Sequence, residues 1–158
     1  MIEYKEGNLL DDKANYLVNT VNCVGAMGKG IAKQFKTKYP DMYKEYKKEC
    51  SAGNIDIGKP YIWKHEDLFE PVTIINLPTK IHWENDSTYI YVQKGLNWLV
   101  EYFKDKPNET VALPPLGCGN GGLVWGRVKN MIEDSLMPLE TRFYVYKKRE
   151  ESVHQWEM

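Results

Sequence analysis

Apolar positions along this chain switch between two periods. Tyr16-Leu17-Val18-Asn19-Thr20-Val21 is a β-branched apolar run with the length of a buried strand. Gly25, Gly28 and Gly30 then interrupt it. Ile31, Phe35 and Tyr39 follow at spacing four, which predicts one face of a helix ending near Pro40. Asp41 is placed to cap a second helix that reaches about Cys50, with Gly53 beyond it. Residues 2–5 predict a short edge strand, and 60–64 and 72–76 two more strands. Val92, Leu96, Leu99, Val100 and Phe103 keep helical spacing, in a helix whose N-cap is expected at Asp86 or Ser87. Residues 110–113 predict a strand, 125–136 a helix and 142–146 the last strand. Alternating strands and helices predict an α/β fold, a sheet between helical layers. Ligands in such folds sit beyond the carboxyl ends of the strands.

Bulk properties narrow this picture modestly. A chain of 158 residues favours a single domain, expected over 1–158. Hydrophobic residues make up 42% of it, enough for a core without staples. The net charge of −1 predicts no general affinity for nucleic acid or membrane, although a local basic face remains open. Cys23, Cys50 and Cys118 are widely spaced and lack a C-x-x-C, so neither a zinc site nor a disulfide framework is expected. That usage, with no signal-peptide run and no span-length apolar segment, leads us to expect a cytoplasmic protein without membrane partners. The charged tail, 150–158 with a lone Trp156, is expected to fray.

Candidate chemistry concentrates in three segments. In Ala112-Leu113-Pro114-Pro115-Leu116-Gly117-Cys118-Gly119-Asn120-Gly121-Gly122-Leu123, a strand runs into a loop with four glycines in six residues. Strand, glycine loop and helix N-terminus together aim bare N–H groups at one point, which suits phosphate. The loop formally contains G-x-G-x-x-G, a weak signal by itself. A nicotinamide enzyme would want an acid at the end of the next strand, and that strand ends in Lys147-Lys148-Arg149. Glycines serving only a tight connection are the plainer alternative.

The loop after the first long strand holds Asn22, Cys23, Val24, Gly25, Ala26, Met27, Gly28, Lys29 and Gly30. The Asn22 amide can donate to and accept from a sugar diol, or can close an Asx-turn. Lys29 is either a phosphate contact or a solvated lysine. Lys33, Lys36, Lys38, Lys44, Lys47 and Lys48 continue a stretch that reads mainly as solvated helix surface, or else steers a polyanion. The third segment is Asn76-Leu77-Pro78-Thr79-Lys80-Ile81-His82-Trp83. Pro78 disfavours helix before it, so Lys80 is expected to project from a strand-end loop. A desolvated lysine there stabilises negative charge or attacks an opened sugar aldehyde. His82 is a candidate polar partner beside it, and Trp83 offers a stacking surface. Three unrelated surface residues are the bland alternative. No paired carboxylates announce a glycosidase.

Taken in order, these segments resemble the macrodomain family of ADP-ribose-binding modules, and within it the DarG-type antitoxin macrodomains. The carrying pieces are Leu17 to Asn22, Met27-Gly28-Lys29-Gly30-Ile31-Ala32, Asn76 to Lys80 with His82-Trp83, and Leu113 to Leu123. The resemblance implies a three-layer α/β/α fold with a mixed sheet of about six strands and ADP-ribose in a cleft across its crest. It implies that residues 25–30 line the distal ribose, that residues 117–123 line the diphosphate, and that Asn22 orients the ribose. It makes Lys80 the catalytic position, with Thr79 a ligand contact and His82 and Trp83 near the departing base. The implied activity removes ADP-ribose from thymidine in DNA, reversing a DarT-like toxin, with no cofactor beyond ADP-ribose as ligand and product.

Departures from the family matter here. A sister group acting on proteins carries an aspartate in its second glycine loop, where this chain reads Gly119-Asn120-Gly121-Gly122. An aspartate that receives the adenine amino group in many macrodomains is replaced by Asn8, so that contact is expected to weaken or to move to backbone near Leu9. Other readings of the same cleft are an ADP-ribose 1″-phosphate phosphatase, a protein de-ADP-ribosylase, a non-catalytic reader, and a nucleic-acid module bound through the lysines.

Overall fold

In the computed structural model, residues 1–148 are described; the tail expectation for 150–158 lies outside them. Six strands form one sheet: β1 (Ile2–Lys5), β2 (Tyr16–Val21), β3 (Tyr61–His65), β4 (Val72–Pro78), β5 (Thr110–Leu113) and β6 (Arg142–Tyr146). Their order is β1-β6-β5-β2-β4-β3. All neighbours are parallel except β3, which pairs antiparallel with β4. The helices are α1 (Gly30–Lys38), α2 (Pro40–Ser51), α3 (Tyr89–Phe103) and α4 (Trp125–Leu136).

Strand alternation produces two cores. On β2, β4 and β5, Val18, Ile75, Leu77, Val111 and Leu113 face α3 and α4, packing with Leu96, Val128 and Ile132. Leu17, Ile74 and Ala112 face α1 and α2, packing with Phe35, Met42 and Tyr46. A central strand buried on both faces reads as a near-continuous apolar run, which is why β2 was legible. The expected three-layer α/β/α architecture is the observed one. Among the described residues, no helix is long and apolar enough to cross a membrane.

Two helix starts differ from expectation. Pro40 occupies the first turn of α2 and Tyr39 the N-cap, so Asp41 lies inside the helix. Proline suits that position because the N–H it lacks would have no helical acceptor. Helix α3 is capped by Thr88, whose side chain accepts from the Tyr91 N–H at 3.1 Å. Ser87 is instead buried, its hydroxyl donating to the Thr79 carbonyl. Strand β4 also runs to Pro78, two residues beyond the expected end. Central β2 is flanked by β5 and β4, so the loops leaving all three strands meet at one end of the sheet.

Candidate active site

These three loops enclose a cleft of about 790 Å³. The β2 end contributes Thr20, Val21, Asn22, Ala26, Gly28 and Lys29, and the first turn of α1 contributes Gly30, Ile31 and Ala32. The β4 end contributes Thr79, Lys80, Trp83 and Glu84. The β5 end contributes Pro114, Pro115, Gly117, Gly119, Asn120 and Gly121. A volume of this size lies within the usual range for nucleotide-sized ligands.

Asn22 is almost wholly buried and shapes the first loop. Its Oδ1 accepts from the N–H of Val24 (3.1 Å) and of Ala26 (3.3 Å), and its Nδ2 donates to the Ala26 carbonyl (2.8 Å). The Tyr46 hydroxyl donates to the Asn22 backbone carbonyl at 2.7 Å and lies 3.1 Å from Oδ1. Burial holds that hydroxyl far above the ordinary tyrosine pKa, so it remains a donor. The Asx-turn and ligand readings of Asn22 are therefore compatible: Asn22 lines the cleft, and one Nδ2 hydrogen has no acceptor among the described hydrogen bonds. Helix α1 starts without a side-chain cap, so its first N–H groups also open toward the cleft.

The second loop is closed by its own backbone. Leu123 N–H donates to the Gly117 carbonyl (2.9 Å), and Cys118 N–H to the Pro115 carbonyl (3.0 Å). A Cβ at Gly121 would stand 2.4 Å from the Gly117 oxygen, so only glycine fits. Gly117 adopts φ 69°, and a Cβ there would stand 2.8 Å from Leu123. The N–H groups of Gly119, Asn120 and Gly121 find no protein acceptor among the described hydrogen bonds, whereas that of Gly122 reaches the Gly119 carbonyl at 3.3 Å. Gly119 and Gly28 have open space where a Cβ would stand, so backbone there is bare to the cleft.

Lys80 crosses between the loops. Its Nζ donates to the Asn120 carbonyl (3.1 Å) and reaches the Trp83 carbonyl (3.5 Å). Desolvation lowers its pKa, Asp86 opposes that, and the nearby Lys29 charge adds to it. Ser87 ties the same region together: its N–H donates to the Gly121 carbonyl (3.0 Å) while its hydroxyl holds Thr79. Trp83 is half exposed at the rim. His82 packs beside it, centroids 5.2 Å apart, with Nδ1 accepting from the Glu84 N–H at 3.1 Å.

Several expected contacts lie elsewhere. His82 does not line the cleft. Gly25 is buried against Lys47 and Cys50. Cys118 and Leu123 point into the core, and Gly122 lies against Asp86. Burial pushes the thiols of Cys23 and Cys118 up to about 11, so neither is a nucleophile near neutrality. Asn8 caps the short 3-10 turn Leu9–Asp11, its Oδ1 accepting from Leu10 N–H at 3.2 Å, and Leu9 is buried. Asn8 lines a separate open cleft with Lys5, Asp12, Tyr144 and Tyr146. Sequence reasoning missed Tyr46 and Ser87, whose bonds join residues far apart along the chain. Asp86 carries no spacing signal, yet it brings a carboxylate beside the second loop, where the chain itself has none.

A family model described as Macro domain matches residues 18–132, and the chain belongs to the macrodomain family. It is similar to the DNA ADP-ribosyl glycohydrolase of Thermus aquaticus, 46% identical over 140 residues, covering 89% of this chain and 39% of that protein. Its counterpart from Mycobacterium tuberculosis is 45% identical over 139 residues, covering 88% of this chain and 40% of that protein. The chain thus spans about two fifths of the length of the curated relatives it matches. Among solved structures, the macrodomain of Mycobacterium tuberculosis DarG superposes with a TM-score of 0.89 at 42% identity, over 94% of this chain and 99% of that one. Thermosipho africanus DarTG in complex with ADP-ribose gives 0.88 at 32% identity, over 98% of this chain and 44% of that one.

Proposed function

We propose that this chain binds ADP-ribose in the cleft and hydrolyses it from thymidine bases of DNA. The observation that carries the reading is the Lys80 amine, held at one end of a cradle of unpaired N–H groups. The amides of Gly119, Asn120 and Gly121, with the N-terminus of α1, take the diphosphate. The free Asn22 amide hydrogen donates to a distal ribose hydroxyl. Lys80 acts at the anomeric carbon. As an ammonium it neutralises charge developing on the departing base; as a free amine, favoured by its lowered pKa, it forms an imine with the opened sugar that water then cleaves. In either route the bond from anomeric carbon to base nitrogen breaks, water supplies the new hydroxyl, and the base regains its proton. Trp83 offers the base a stacking surface beside Lys80.

The relatives named above as DNA ADP-ribosyl glycohydrolases support this reading. The Thermosipho africanus relative is described as a DNA ADP-ribosyl transferase fused to such a glycohydrolase, which supports a transferase toxin as functional partner. The test compares Lys80→Ala with wild type on an ADP-ribosylated thymidine oligonucleotide. Turnover is expected to fall at least about a hundredfold while calorimetry gives an ADP-ribose affinity within about threefold. Unchanged turnover overturns the role of Lys80. Phosphate release from ADP-ribose 1″-phosphate, with no action on modified DNA, replaces the activity altogether.

A further inference from the structure

The two lips of the cleft differ in charge: one is lysine-rich, the other mixes Lys80 with acids. Lys29 lines the cleft and occupies the N-cap of α1, and Lys33 and Lys36 follow four and seven residues on. This spacing stacks the three on one flank of the helix, rising about 6 Å and then about 4.5 Å along its axis. The flank faces α2: Lys36 Nζ lies 4.5 Å over the Tyr43 ring, and the Tyr43 hydroxyl donates to the Gly25 carbonyl of the first loop at 3.3 Å. Lys47 of α2 packs against that loop, its Cγ 3.4 Å from where a Gly25 Cβ would stand. None of these four lysines makes an ion pair among the described residues, and α1 contains no acid. Across the cleft, the β4-end loop presents Lys80 and Glu84, with Asp86 beside it against Gly122.

Lys29 sits where electrostatics disfavour it. A helix N-terminus carries positive partial charge, and a lysine there adds to it with no acid in the first turn. Lys29 is also close enough to Lys80 to disfavour its charge. An anion relieves both. The two phosphates of ADP-ribose fall to the amide cradle, and the stripe continues about 10 Å along α1 away from it. Those lysines call for further phosphates outside the cleft.

We propose that Lys29, Lys33 and Lys36, flanked by Lys47, bind the phosphodiester backbone of the DNA strand that carries the modified base, so that the strand leaves the cleft over the α1–α2 flank. This rests on the DNA-directed reading of the cleft. The occupant is a single strand, because a base in a duplex must be pulled from its stack before it can stand beside Lys80. Glu84 and Asp86 disfavour the backbone at the opposite exit.

The experiment uses the full chain and a Lys33→Glu/Lys36→Glu double variant, with Lys33→Gln/Lys36→Gln as the gentler pair. Substrates are a single-stranded ADP-ribosylated oligonucleotide and ADP-ribosylated thymidine alone. For the oligonucleotide, KM is expected to rise by roughly tenfold at low salt, and the slope of log affinity against log salt to lose about 1.4 in the charge-neutral pair. Turnover of the nucleoside and affinity for ADP-ribose stay unchanged, which certifies the fold. Equal KM and equal salt slope for wild type and both variants on the oligonucleotide overturn the track and leave the activity standing. Wild type that cleaves neither substrate overturns the activity and the track with it. A poly-glutamate peptide of matched charge competing as well as the unmodified strand also overturns the track, because the lip is then a general anion surface.

Discussion

The loop after β2 is shaped mainly by side chains, whereas the loop after β5 is shaped mainly by its own backbone, with Lys80 and Ser87 tying it from outside. In the first, the Asn22 amide folds residues 22–26 around itself, and Tyr46 and Tyr43 reach up from α2 to fasten it. In the second, Gly117 and Gly121 approach so closely that no side chain fits between them. Both leave bare N–H groups facing one cleft. They differ in what they tolerate: a side-chain scaffold weakens by degrees, and a backbone scaffold fails at once.

Three substitutions sharpen this contrast. The largest effect belongs to Gly121→Ala. Its methyl would stand 2.4 Å from a backbone oxygen that cannot swing aside. A loss of about 3 kcal/mol or more is expected in urea denaturation, together with loss of ADP-ribose binding in calorimetry. A stable variant that still binds would show that the second loop has room to relax. Next comes Gly119→Ala, where the methyl meets no protein atom. Stability should stay within about 0.5 kcal/mol of wild type, while ADP-ribose affinity drops about tenfold because the methyl occupies ligand space. Unchanged affinity would mean that ligand never approaches this backbone. Comparable in energy, but with ligand contacts untouched, is Tyr46→Phe, which removes the donor to Asn22. The expected cost is about 1–2 kcal/mol, with faster amide exchange at Val24 and Ala26 and none at Leu123. Equal loosening of both loops would end the distinction between them.

The helices and strands were legible because most of them bury regular apolar stripes. The starts of α2 and α3 were less so. Asp41 and Ser87 are both good cap types, and local propensity cannot tell which of several neighbours takes the role. Pro40 supplied the decision at α2, and burial of Ser87 under Thr79 supplied it at α3. Among site residues, the glycine loops and Lys80 were visible because their types are unusual at strand ends. Cys118 and Leu123 stand beside them in sequence but point into the core, and His82 packs on the cleft residue Trp83 without lining the cleft itself.

Sequence by itself determined the layer order, the two glycine-rich loops after β2 and β5 and the presence of an amine after β4, because each is written in local periodicity or in residue types with few uses. Tertiary structure alone decided that Lys80 reaches across to the Asn120 carbonyl, that Tyr46 holds Asn22, and that Asp86 stands by Gly122. It also decided that Lys29, at the start of α1, lines the cleft opposite Lys80 and Glu84. Such facts depend on which loops the sheet order brings together, and strand order is a long-range property that no local pattern encodes.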